Sequence, residues 1–329
     1  MTRLAIIGAG AWGTALALVA RRAGSDAAIW ARSAAVAEAL RDRRENPAYL
    51  PGIALDRVIA ATTDPATAVT GVDAALIVVP AQFMRETLAG FGAVLPSALP
   101  LLLCAKGIET GSLKTMAELV AELRPQTPLA VLSGPSFAAE VACDLPTAVV
   151  IASRDPSLAR FFAGALGNPR FRPYLSEDVI GVELGGAVKN VLAIACGVLD
   201  GLKLGDNARA ALITRGLAEM TRLGAAKGAR PQTFGGLSGL GDLVLTCSGG
   251  LSRNHALGVA LGRGASLDAA LAGRRSVVEG VASAASIAAL AAQLGVEMPI
   301  VDAVDAVLHR RTAIGPTIET LLARPRRSE

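Results

Sequence analysis

Ile6-Ile7-Gly8-Ala9-Gly10-Ala11-Trp12-Gly13 decides the fold. The apolar run Leu4–Ile7 reads as a strand, and the residues after Gly13 read as a helix, so the G-x-G-x-x-G spacing sits at a strand-to-helix turn. In that setting Gly8 permits the tight turn, Gly10 lets the backbone approach a pyrophosphate, and Gly13 allows the helix to pack closely on the strand. The free N–H groups of the helix start are placed to receive the diphosphate of a dinucleotide. The same glycines without this context are also compatible with an unliganded turn.

Working outward, short apolar or β-branched runs recur to about residue 175. They are Leu4–Ile7, Ala27–Trp30, Val58–Ala60, Ala74–Val79, Leu101–Cys104, Leu129–Leu132, Ala148–Ile151 and Arg170–Tyr174. Amphipathic segments such as Ala34–Arg41, Gln82–Phe91 and Lys114–Leu123 separate several of them. Strands alternating with helices imply βαβ units. The expected class is therefore α/β, with an N-terminal, doubly wound, Rossmann-type sheet. Strands after about residue 128 are compatible with either parallel or antiparallel addition. After Ser176 the strand signal stops, and 178–200, 207–227, 254–262, 267–272, 280–294 and 299–309 read as helices. Two domains follow: a dinucleotide-binding domain over 1–177 and an all-helical, substrate-binding C-terminal domain over 178–329.

Composition narrows the function classes. The chain has 329 residues, 52% hydrophobic and 18% charged, which suits two folded domains with large cores. The formal net charge is only +4, with much of the excess in the tail Arg324-Pro325-Arg326-Arg327. No basic run is interleaved with aromatics, so a nucleic-acid surface is not expected. Cys104, Cys143, Cys196 and Cys247 are widely spaced among apolar or small residues, which reads as buried, reduced thiols in a cytoplasmic protein. With two histidines, His255 and His309, and no clustered soft ligands, no metal site is expected. The 17 uncharged residues from Leu4 to Ala20 superficially resemble a signal peptide. Three glycines interrupt them, so neither a targeting segment nor membrane insertion is expected.

At the end of the second strand a carboxylate would select the ribose hydroxyls of NAD. Trp30-Ala31-Arg32-Ser33 offers none, and Arg32 is suited to a 2′-phosphate, which favours NADPH over NADH. An ordinary exposed arginine is the alternative.

Only five of the 32 basic residues are lysine, so a lysine among glycines and apolar residues stands out. Cys104-Ala105-Lys106-Gly107 follows a strand at the carboxyl edge where such sheets bind ligands. Lys189, within Gly185-Gly186-Ala187-Val188-Lys189-Asn190, has Gly181 and Gly185 on the same helix face, a lane that a ring or a backbone can approach. Two neighbouring ammonium groups depress each other's pKa, and a lysine so tuned can donate a proton to a ketone oxygen and take it back. Asp242, in Gly239-Leu240-Gly241-Asp242, can orient the pair. Other readings stay open from the residues alone: a snorkelling Lys106, an exposed Lys189 and an Asp242 that caps a helix. Ser252-Arg253-Asn254 opens a helix and suits either a phosphate or a surface cap. His255, next to it, is left outside the site.

These stretches together resemble the bacterial-type NAD(P)-dependent glycerol-3-phosphate dehydrogenases over essentially the whole chain. The match is carried by Gly8–Ala15, Asn46-Pro47 with Tyr49-Leu50-Pro51, Cys104–Glu109, Ser133–Glu140, Gly181–Leu192, Asn207–Met220, Gly239–Thr246, Ser252–Asn254 and Val277–Gly280. The resemblance implies interconversion of dihydroxyacetone phosphate and sn-glycerol 3-phosphate, with Lys189 as proton acceptor in the oxidation. It places Lys106, Gly134, Ser136, Lys189, Asp242, Ser252, Arg253 and Asn254 on the phosphorylated substrate, and Asn190 and Thr246 from the same stretches with them. It places Ala11, Trp12, Arg32, Lys106, Ala138, Arg253, Val277 and Glu279 on the cofactor. Ala11 stands where the family often has serine, so only its backbone N–H remains available. The alternatives are another two-domain Rossmann dehydrogenase or a non-catalytic NADP-binding redox sensor. Assembly as a homodimer is left open.

Overall fold

The apolar runs of the first half pair as one sheet. In the computed structural model, which describes residues 1–274 and 276–325, the strands are Arg3–Ile7 (β1), Asp26–Trp30 (β2), Ala60–Thr62 (β3), Ala74–Ile77 (β4), Leu101–Leu103 (β5), Leu129–Ser133 (β6), Thr147–Ala152 (β7) and Phe171–Ser176 (β8). Their order is β3-β2-β1-β4-β5-β6-β7-β8, parallel except where β7 runs antiparallel to β6. The helices among them are Ala11–Arg22 (α1), Ala34–Glu38 (α2), Pro65–Val69 (α3), Met84–Phe91 (α4), Met116–Leu123 (α5), Ala138–Ala142 (α6) and Pro156–Leu166 (α7).

Burial on both faces explains why the central strands β1, β4 and β5 are almost wholly apolar. Leu4 and Ile6 of β1 face one core with Leu16 of α1 and Phe162 of α7, while Ala5 and Ile7 face another with Met84 and Leu88 of α4. The chain runs outward from β1 to β3 and returns to β4 on the other side, so the strand order reverses between β1 and β4. A crevice opens at the carboxyl ends of strands at such a point.

Two strand starts fall later than the sequence suggests, and an Asx turn explains each. β3 begins at Ala60 instead of Val58, because Asp56 Oδ1 accepts the Val58 N–H at 3.0 Å. β8 begins at Phe171 instead of Arg170, because Asn168 Oδ1 accepts the N–H groups of Arg170 and Phe171 at 3.0 and 2.9 Å. The helix expected over 34–41 ends at Glu38 and continues as a wide π turn, Ala39–Arg43. One cysteine expectation fails: Cys143 is exposed, in the turn that follows α6 and leads into left-handed Asp144. Cys104, Cys196 and Cys247 are buried.

The second half is helical: Val179–Gly201 (α8), Asp206–Ala226 (α9), Pro231–Phe234 (α10), Asp242–Ser248 (α11), Arg253–Gly262 (α12), Leu267–Leu271 (α13), Glu279–Gln293 (α14), Pro299–His309 (α15) and Ile314–Leu322 (α16). Asp178 caps α8, its Oδ1 accepting the Gly181 N–H at 2.9 Å. By length and composition α8 is apolar enough to cross a membrane, but 94% of that stretch is buried inside the protein. It is the central helix, packed by α9, α11, α12 and α14. Small residues bring α12 against it: a Cβ on Gly258 would lie 2.1 Å from Ile194 O, and one on Gly197 would lie 2.1 Å from His255 O. That contact fixes where the start of α12 meets the middle of α8. In the basic tail, Arg326 and Arg327 lie outside the described residues.

Candidate active site

A cleft of about 590 Å³ opens over the β1–α1 turn and is closed on its far side by the helical half. Gly8, Gly10, Ala11 and Trp12 from the turn, Arg32 after β2, and Lys106, Ser136 and Ala138 from loops of the sheet domain line it. From the helical half come Lys189 and Asn190 of α8, Thr246 of α11, Ser252, Arg253 and Asn254 at the start of α12, and Val277 and Glu279 before and at the start of α14. Three expected residues stand behind the wall instead. Gly13 packs α1 on β1, since a Cβ there would lie 1.9 Å from Gly8 O. Gly134 takes a positive φ of 128° and turns its carbonyl towards Lys106 and Ser136, whose Nζ and Oγ donate to it at 3.0 and 2.9 Å. Asp242 is fully buried.

Asp242 ties the two lysines together. Its Oδ2 accepts from Lys106 Nζ at 2.8 Å, and its Oδ1 accepts from Lys189 Nζ. The elements explain the convergence: Lys106 follows β5, Lys189 lies mid-way along α8, and Asp242 opens α11, which packs on α8. Lys189 is only 6% exposed. Burial lowers its ammonium to about 8, against the Asp242 carboxylate, which holds it up, while the Lys106 charge adds to the lowering. Burial pushes the Asp242 carboxyl upward, but the two ammonium groups outweigh it and hold the carboxyl below its ordinary value. Both lysines keep N–H donors beyond those spent on Asp242 and Gly134. The exposed-helix reading of Lys189 is thereby excluded.

The glycine lane before Lys189 has a different occupant from a ligand ring. A Cβ on Gly185 would lie 2.3 Å from Ser238 O, so the backbone leading to Asp242 fills the lane. The glycine therefore serves to bring Asp242 to Lys189.

At the start of α12 the triplet is partly engaged with the protein itself. Ser252 Oγ caps the helix by accepting the His255 N–H at 3.2 Å. Asn254 Nδ2 donates to Asn190 Oδ1 at 2.9 Å, and Asn254 Oδ1 accepts the Gly280 N–H at 3.0 Å. Asn190 Nδ2 in turn donates to the Lys106 carbonyl at 3.1 Å. Arg253 is the exposed member, on the cleft wall. His255 turns away from the cleft to Asp200 Oδ2, 2.8 Å from its Nε2.

The residues around the β1–α1 turn fit a dinucleotide. Gly8, at φ 123°, would bring a Cβ within 2.6 Å of Val78 O, whereas a Cβ on Gly10 would meet no atom within 4 Å and would project into the cleft. The first turn of α1 carries neither an acidic residue nor a side-chain cap, which leaves its N–H groups for an anion. Arg32 lies over the Phe83 ring, 5.6 Å from its centre. Glu279 Oε1 accepts the Ala81 N–H at 3.0 Å, and burial raises its carboxyl pKa.

Apart from Trp12, sequence reasoning missed the aromatic wall. The chain has only two tryptophans, two tyrosines and seven phenylalanines, yet Trp12, Trp30, Tyr49, Phe83 and Phe137 all line the cleft. In so aromatic-poor a chain, that scarcity was itself the available signal.

Comparison with known proteins agrees along the whole chain. Residues 3–159 match the N-terminal model, and residues 178–319 the C-terminal model, of NAD-dependent glycerol-3-phosphate dehydrogenase. The chain is 54% identical over 326 residues to glycerol-3-phosphate dehydrogenase [NAD(P)+] of Rhodospirillum rubrum, covering 99% of this chain and 93% of that one. To the protein of the same name from Caulobacter vibrioides it is 53% identical, covering 99% and 98%. The crystal structure of glycerol-3-phosphate dehydrogenase from Coxiella burnetii superposes with a TM-score of 0.95 at 41% identity, covering 98% and 99%. The chain belongs to the NAD-dependent glycerol-3-phosphate dehydrogenase family.

Proposed function

We propose that the protein is an NAD(P)-dependent dehydrogenase that interconverts dihydroxyacetone phosphate and sn-glycerol 3-phosphate, supplying glycerol phosphate for phospholipid synthesis. The observation that carries this reading is the Lys106–Asp242–Lys189 cluster, built on the buried Asp242, which presents two lysines to the same cleft as the glycine-rich turn.

Gly8, Gly10 and the first N–H groups of α1 hold the cofactor diphosphate, and Arg32 meets a 2′-phosphate, which favours NADPH. A bound nicotinamide supplies hydride to the ketone carbon in one direction and accepts it in the other. Lys189, as ammonium, gives a proton to the C2 oxygen in reduction. As neutral amine it takes the C2 hydroxyl proton in oxidation. Asp242 holds Lys189 in place, and a remaining N–H of Lys106 polarises the same oxygen. Arg253 receives the substrate phosphate at the start of α12, with Asn254 fixed beside it by Asn190 and Gly280. A sensor that only bound cofactor would have no use for a pair of lysines, one of them buried, facing a second ligand. A cytoplasmic location accompanies this reading, consistent with three buried free thiols.

Product analysis tests it: NADPH with dihydroxyacetone phosphate should yield glycerol phosphate by NMR, and unphosphorylated dihydroxyacetone should yield little glycerol. Equal conversion of both ketones would contradict the phosphate site.

A further inference from the structure

Asn46 is completely buried between the π turn and the cleft wall, and it reaches back to the glycine-rich turn. Its Nδ2 donates to Ala9 O at 2.9 Å and to Thr14 Oγ1 at 2.8 Å. Thr14 Oγ1 passes the contact on, donating to Gly10 O at 2.9 Å. The Ala9 carbonyl is thus held towards the protein by one side-chain amide, and the Gly10 carbonyl by the Thr14 hydroxyl together with the Thr14 N–H at 3.0 Å. In a trans peptide the C=O and the following N–H point in opposite directions. Holding Ala9 O and Gly10 O inward therefore turns the N–H groups of Gly10 and Ala11 outward. The main chain of Asn46 organises the rim as well, since its carbonyl accepts the Leu50 N–H at 2.8 Å and Tyr49 and Leu50 line the cleft.

Resting on the reading of this cleft as a dinucleotide site, we propose that Asn46, acting through Thr14, is a positioning residue that presets the β1–α1 turn to receive the cofactor diphosphate. Without the Asn46 amide the Ala9 carbonyl loses its donor and is free to rotate, and an outward carbonyl oxygen would repel the phosphate that the N–H groups attract. Asn46 touches no reacting atom. Its effect belongs to cofactor affinity.

Direct titration with NADPH and with NADP⁺ tests this without any turnover, because Trp12 and Trp30 both line the cleft and their quenching reports occupancy. Asn46→Ala and Thr14→Val are each expected to weaken both cofactors by roughly 10-fold, the range for leaving a buried carbonyl or amide without its partner. Thr14→Ser, which keeps the hydroxyl, should restore most of the affinity. The Asn46→Ala/Thr14→Val double variant should lose scarcely more than Asn46→Ala alone, because both break one relay. Turnover at saturating cofactor should fall less than affinity does, a split that general destabilisation would not produce. Thr14→Val binding within about twofold of the parent, or losses that multiply in the double variant, would overturn the proposal. If Asn46→Ala does not fold, the Thr14→Val and Thr14→Ser pair decides alone. A parent protein that bound neither cofactor would instead overturn the dinucleotide reading itself.

Discussion

Lys106 Nζ lies 2.8 Å from Asp242 Oδ2, a contact that spans 136 residues of sequence and joins the sheet domain to the helical one. The other carboxylate oxygen is committed to Lys189, so one buried anion neutralises two cations. Asp242→Asn keeps the side-chain shape but leaves the ammonium groups facing each other. Loss of the anion should lower the Lys189 pKa further below about 8 and reduce kcat by about 10- to 100-fold. Breaking a buried ion pair from one side also costs about 3–5 kcal/mol, less here to the extent that Lys189 sheds its proton. The urea midpoint and the pH–rate profile of the variant check both effects.

Lys189 itself sets the expected pH dependence. Its ammonium titrates at about 8, so glycerol phosphate oxidation, which needs the neutral amine, should rise with pH through that value. Dihydroxyacetone phosphate reduction, which needs the ammonium, should fall through the same value. Lys189→Ala should remove both limbs and lower kcat by ~10²-fold or more, with cofactor binding retained. Profiles of kcat/KM in both directions are the measurement.

Arg253 is the exposed cation at the start of α12, while Asn254 beside it is already bonded to Asn190 and Gly280. Arg253→Ala should therefore weaken phosphorylated substrate by roughly 10- to 150-fold in kcat/KM, the range for a charge-assisted hydrogen bond. Steady-state kinetics with dihydroxyacetone phosphate and with dihydroxyacetone reads this. The unphosphorylated ketone, poor in both proteins, should lose little more.

Arg32 rests over Phe83, so its guanidinium is pre-placed at the end of β2. NADPH should be preferred to NADH at low salt, with the advantage shrinking as salt screens an exposed pair. Arg32→Asp should reverse the preference. The NADPH-to-NADH ratio of kcat/KM in the two proteins measures it.

Glu183 tests the energetics away from the chemistry. It lies in α8 with Oε1 accepting the Ala117 N–H at 2.8 Å, and Oε2 finds no partner among the described residues. Burial pushes its carboxyl to about 7, only partly offset by the nearby Thr115 hydroxyl and the Ala117 N–H. The raised value means that its contribution is full below the ordinary 4.5 and is lost as pH rises through 7. Glu183→Gln keeps the acceptor and removes the charge. It should raise stability by ~1–3 kcal/mol at pH 8, a few degrees in Tm, and by much less near pH 4.5. Thermal unfolding at the two pH values checks the difference.

Much of the candidate site was legible because each part carries a local chemical signature. The Gly8–Gly13 turn, the lysines at 106 and 189, Asp242 and the 252–254 triplet all line the cleft or stand directly behind it. Periodicity also separated the sheet half from the helical half. What stayed hidden depends on which distant segment fills a given space. The spacing of Gly181 and Gly185 showed a bare lane on α8, but not that the backbone at Ser238 fills it. Nor does the composition of β7 tell its antiparallel pairing with β6, since a strand buried on both faces reads alike in either direction. Asn46-Pro47 carried part of the family resemblance, but what Asn46 touches stayed hidden because its partners, Ala9 O and Thr14, are a carbonyl and a small hydroxyl without any motif of their own.

The most direct test of the central claim is the oxidation of NADPH and of NADH by the purified protein, followed by the loss of the near-ultraviolet absorbance of the reduced nicotinamide, with and without dihydroxyacetone phosphate. The account expects oxidation that depends strictly on the ketone phosphate, faster with NADPH, and abolished to near background in Lys189→Ala. Cofactor binding without any ketone-dependent oxidation would contradict it.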